Sequence, residues 1–152
     1  MQTNQWYHIA GVREIAGASN LYINGQLQGT DASPVTTPST SGDPATIGYA
    51  GFHTYHKGQI DEVRIWNIAR DQVDIVADMD STLSGDENGL VAYYHFNEGE
   101  GDTLYDQTGN GHEGILVGEP SWADGYTVSS LLGDINFDGL VNVLDVVNLV
   151  NS

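Results

Sequence analysis

At 152 residues the chain has room for one buried core and a small appendage, and its lack of cysteine excludes a disulfide framework and a thiolate metal site. Four basic against 21 acidic residues leave a formal net charge of −17. Such a surface repels nucleic acid and anionic membranes, attracts divalent cations, and carries no apolar run long enough for membrane insertion. The charge is also uneven. All the basic residues (Arg13, Lys57, Arg64, Arg70) precede residue 71, and most acids follow it.

In chain order, the aromatic and branched residues from Gln5 to Val12 predict a strand. Leu21 to Gln28 then places Asn24-Gly25 between alternating residues, a strong hairpin signal because both positions tolerate positive φ. Residues 31–44 hold Pro, Ser and Thr between strands and read as a surface loop. A short strand is expected over Ala45 to Ala50 and a longer one over Gln59 to Trp66. Asp71 to Met79 sets Val73, Val76 and Ala77 among acids at helical spacing, with Asp71 as N-cap. Strand character returns from Gly89 to Phe96 and near Gly114 to Val117, with Gly- and Asp-rich turns between. Strands, turns and one short helix predict a mostly β, antiparallel sandwich.

Several of these segments together resemble the LamG-like (concanavalin A-like) jelly roll. They are Trp6-x-His8-Ile9-Ala10, Leu21-Tyr22-Ile23-Asn24-Gly25, Ile47-Gly48, Gly58 to Asn67, Gly89 to Tyr94, and Asp106-x-x-Gly109-Asn110-Gly111-x-x-Gly114. The resemblance covers residues 5–122, and Trp6 matches the middle of such a domain. The expectation is a partial jelly-roll β-sandwich, the C-terminal part of one, over residues 1–122, with 123–132 as linker.

The fold class so implied includes glucanases, whose retaining chemistry needs two carboxylates about 5 Å apart. On a strand, Asp61 and Glu62 would point to opposite faces. Asp61 then reads as a structural aspartate and Glu62 as the partner of Arg64. Glu98, Glu100 and Asp102 alternate, but in a turn. No serine stands in a nucleophile elbow, and the five histidines are scattered. No catalytic residue is assigned.

Binding is the better expectation. The loop residues Tyr49, Phe52, His53, Tyr55 and His56 gather aromatic and imidazole groups suited to sugar rings, on the kind of element that carries function. In the acidic turns, Asn97, Glu98, Asp102, Asp106 and Asn110 are candidates for a calcium ion.

The last stretch, 133–152, has a different chemistry. Asp134, Asn136, Asp138, Asn142 and Asp145 stand at loop positions 1, 3, 5, 9 and 12, with the Leu140 carbonyl at 7 and Gly139 at 6. A hard cation takes that spacing from one short loop, and Ca2+ is the predicted ligand. Here the chain resembles a single dockerin repeat, which implies an extracellular bacterial setting and a cohesin-like partner or a second repeat. The positions where dockerins recognise cohesins read Val143-Leu144 rather than a hydroxyl pair. The following helix is apolar on most of its faces and needs cover. The combined expectation is a non-catalytic adhesion module, binding carbohydrate and docking through calcium. A fragment of a glycoside hydrolase and a purely structural interaction module are the alternatives.

Overall fold

The computed structural model describes residues 1–15, 17–33, 42, 44–51 and 55–126. The predicted calcium loop and its helix lie outside them, as do Phe52, His53 and most of the loop over 31–44.

Strand β1 (Ile9–Arg13), β2 (Ser19–Ile23) and β3 (Gln26–Asp31) form one antiparallel sheet in the order β1-β2-β3. Asn24 (φ 48°) and Gly25 (φ 71°) close the β2–β3 turn, which is the primed geometry that matches strand twist. The Asn24 side chain also accepts from the His8 N–H at 2.9 Å, and so ties the turn to the residue before β1. A second sheet pairs β4 (Val63–Trp66) with β5 (Leu90–Tyr94), and a third pairs β6 (Thr103–Leu104) with β7 (Gly114–Ile115). Between β4 and β5 lies helix α1 (Gln72–Asp78), capped by Asp71, whose carboxylate accepts from the Asp74 N–H at 2.9 Å. The architecture is mostly β and antiparallel, in keeping with a partial jelly roll.

Strand β5 is the centre of the molecule. Leu90, Ala92, Tyr93 and Tyr94 are all buried, so both of its faces are covered. On one face Ala92 and Tyr94 pack with Leu104, Val63, Phe96, Leu116 and Trp122. On the other, the Arg64 guanidinium stands 5.3 Å from the Tyr93 ring centre. The Tyr93 hydroxyl donates to Glu62 and accepts from the Leu83 N–H.

Several expected elements are shorter or displaced. Residues 59–62 do not join β4, because Glu62 takes φ 52° and breaks the extended run. Side-chain alternation across Asp61 and Glu62 therefore does not apply, although the Glu62–Arg64 pair does form at 3.0 Å. Ala45 to Ala50 is not a strand and contributes only the bridge between Tyr49 and Tyr55. On α1 the buried side chain is Ile75, whereas Val73 is exposed at 76%. The helix end is held instead by the Arg70–Asp78 pair and by Arg64 donating to the Asp78 carbonyl at 2.6 Å. Residues 123–126, expected to begin a linker, are tied to the sandwich: Asp61 accepts from the Tyr126 N–H at 2.6 Å, and Tyr126 donates to Asp80 at 3.0 Å.

Candidate functional site

The first candidate surface is the aromatic loop. Gly48 adopts φ 78°, and a Cβ there would stand 3.3 Å from Ile60, so only glycine fits without strain. Its carbonyl accepts from the His56 N–H at 2.8 Å, and the Thr46 hydroxyl donates to the Tyr49 carbonyl at 2.8 Å. The first bond, with the Tyr49–Tyr55 bridge, draws the two arms of the loop together, and the second closes a turn within one arm. The Tyr49 and Tyr55 rings lie 5.1 Å apart at 36°, and are exposed at 39% and 62%. The His56 imidazole lies against Gly58, where a Cβ would come within 2.9 Å of it. Of the five loop residues expected from sequence, Tyr49 and Tyr55 are brought together, and the exposed His56 turns toward Gly58.

In the acidic turns, two of the candidate oxygens are engaged with backbone groups. One Asp106 oxygen accepts from the Tyr93 N–H (3.1 Å), the Thr108 N–H (3.0 Å) and the Thr108 hydroxyl (2.8 Å). The other accepts from the His112 N–H at 3.2 Å. Burial alone would push the Asp106 carboxyl up; the hydrogen bonds from Thr108, Tyr93 and His112 outweigh it and hold the group below the ordinary aspartate range. The Asn110 amide donates to the Val91 carbonyl at 2.9 Å. Both residues thus staple the Asp106–His112 turn to β5. Among the described residues no three His, Asp or Glu side chains come together as a metal site. Of Asn97, Glu98, Asp102, Asp106 and Asn110, Asp106 and Asn110 are committed to backbone partners.

Where Asn97 and Glu98 do lie is an open cleft of about 230 Å³ lined by His95, Asn97, Glu98, Tyr105 and Gln107. It forms because the Gln107 N–H donates to the Tyr93 carbonyl at 2.8 Å, folding the 105–107 segment back beside the end of β5. The sequence reading missed His95, Tyr105 and Gln107 here. The backbone bond that joins them spans 14 residues and leaves no periodic trace. Among the lining residues Glu98 is the one carboxylate. Asp61 and Glu62 do not face an open surface as a pair. Asp61 accepts from the Glu62 and Tyr126 N–H groups, while Glu62 accepts from Tyr93 and Arg64.

These features fit the comparison with known families. The sequence profile of the concanavalin A-like lectin/glucanases superfamily, in its Laminin G form, matches residues 1–76, and the chain belongs to that superfamily. No curated protein matches the sequence. Among solved structures, the fold resembles a "putative carbohydrate binding protein" from Bacteroides ovatus, with a TM-score of 0.59 and 24% identity. The alignment covers 81% of this chain and 39% of that one, so the chain spans about two fifths of that protein's length. At this identity the likeness speaks for the fold.

Proposed function

We propose that the chain is a non-catalytic carbohydrate-binding module that meets glycan through the Tyr49–Tyr55 edge. The observation that carries this reading is the pair of exposed phenol rings held 5.1 Å apart by a bridged loop. Aromatic faces with polar rims suit sugar rings, and a loop on a rigid sandwich is the usual place for them. The description of the Bacteroides ovatus protein points the same way. Against catalysis, the described cleft offers one carboxylate where glycoside hydrolysis uses two.

The test is affinity electrophoresis or calorimetry against a panel of neutral polysaccharides. Tyr55→Ala should weaken binding about tenfold, which is 1.4 kcal/mol. Equal affinity in the variant would remove the tyrosine pair from the site. Release of reducing sugar by the wild-type chain would instead establish the glycoside hydrolase reading, which the superfamily's glucanase members keep open.

The terminal loop adds a second element to the proposal, supported by ligand spacing in the sequence alone. Asp134, Asn136, Asp138, Leu140, Asn142 and Asp145 hold one Ca2+, and the ordered helix then docks on a cohesin-like or second-repeat partner outside the cell. Calcium titrated into metal-free protein should bind at one site that Asp134→Ala abolishes. Retention of that site in the variant would refute the assignment.

A further inference from the structure

Just past the end of β5, His95 and Glu98 border the cleft. The His95 ring stands edge-on to Tyr93, with centres 4.4 Å apart and planes at 70°. Glu98 accepts from the Tyr105 N–H at 2.9 Å through Oε1. His95 Nε2 and Glu98 Oε2 are shielded from solvent and have no hydrogen-bond partner among the described residues. Two other such atoms, His8 Nδ1 and Arg64 Nε, lie elsewhere; native chains leave few of them, and two beside one cleft mark it as a polar binding surface. The same cleft carries Tyr105, 56% exposed, and the amides of Asn97 and Gln107.

We propose that this cleft is a glycan subsite that takes the vicinal diol of a single neutral sugar residue. One hydroxyl donates to Glu98 Oε2, and its neighbour hydrogen-bonds His95 Nε2. The Tyr105 ring supplies an aromatic face, and the Asn97 and Gln107 amides are in place for further hydroxyls. The inference rests on the carbohydrate-binding reading but puts the contact on different residues from the tyrosine pair. Size and charge narrow the guest. At about 230 Å³ the cleft is below the roughly 300–1,000 Å³ typical of drug-sized ligands, and so suits one ring. Glu100 and Asp102 follow Glu98 in a chain of net charge −17, so uronic or sulfated sugars meet like charge. Because both orphan atoms are shielded as the side chains stand, binding requires a side-chain rotation at the cleft, and the His95 ring will report it.

The experiment is titration of the full chain, labelled with 15N-histidine, with neutral mono- and disaccharides of gluco, manno and galacto configuration. Wild type, Glu98→Gln, His95→Ala and Tyr55→Ala are compared, with thermal melts to confirm folding. Glu98→Gln is the sharpest variant. Its amide oxygen can still accept from Tyr105, while its NH2 puts a donor where the diol needs an acceptor. A shift of the His95 resonances, with affinity about tenfold weaker in Glu98→Gln and His95→Ala, is the expected result. Sugar binding lost in Tyr55→Ala alone would overturn this subsite and leave the tyrosine pair standing. Absence of binding by any sugar to the wild-type chain would overturn both.

Discussion

Asp106 shows how one side chain can organise a turn. Its two oxygens collect four hydrogen bonds, three of them from backbone N–H groups on either side of the cleft-forming turn. Replacing it by Ala leaves those donors without their acceptor and should cost about 2–4 kcal/mol, read from the urea midpoint, since bonds to a charged acceptor contribute more than neutral ones. The sign of its pH dependence follows from the direction of its shift. A carboxyl held below its unfolded value stabilises the fold above the ordinary aspartate range. That contribution disappears as the pH falls through the lowered value. Melting curves from pH 7 to pH 3 should therefore fall more steeply for wild type than for Asp106→Asn. Tyr93 is a second such residue. Burial, and then its bond to Glu62, push its phenol up, so it remains a donor at any physiological pH. Tyr93→Phe should lose about 1–3 kcal/mol by leaving the Leu83 N–H and Glu62 without it.

Elements meet through their ends more than through their faces. The β2–β3 turn docks on α1: Gln72 donates to the Gly25 carbonyl at 2.8 Å, and a Cβ at Gly25 would come within 2.6 Å of the Val76 methyl. With φ 71° at the same position, Gly25→Ala combines backbone strain with a clash, and should cost about 1–3 kcal/mol in chemical denaturation. A denaturation midpoint equal to wild type would mean that the turn does not bear on the helix. The 122–126 segment is docked in the same manner. Trp122 donates to the Gly101 carbonyl at 3.2 Å, Gln59 donates to the Asp124 carbonyl at 3.3 Å, and Tyr126 meets Trp6 edge-on at 5.9 Å. Gly125 is required there because the Asp61 carboxylate occupies the space of a Cβ.

At the scale of the whole molecule, charge works against compactness. Sixteen of the 21 acids follow Arg70, and the four basic residues are too few to neutralise them. Arg64 and Arg70 are already committed to Glu62, Asp74 and Asp78. Self-repulsion of this kind is screened once the Debye length falls from about 30 Å at 0.01 M salt to about 10 Å at 0.1 M. The melting temperature should therefore rise between those two salt concentrations, and a flat response would show that the acids are too dispersed to repel. The small β1–β2–β3 sheet also leaves Ile9, Leu21 and Leu27 partly exposed, and β1 and β3 are both edges within it.

Local chemistry was enough to place the Asn24-Gly25 turn, the Asp71 cap and the β5 strand. Each of these depends on residues within a few positions, or on an apolar run whose burial is its cheapest state. The shortening of β4 at Glu62, the commitment of Asp106 and Asn110 to β5, and the docking of 123–126 were decided by tertiary structure. The last two depend on hydrogen bonds between residues from 13 to 65 positions apart, for which one sequence carries no periodic signal. The cleft of His95, Glu98 and Tyr105 belongs to the same class. Its residues come together only where the chain after β6 returns to the end of β5.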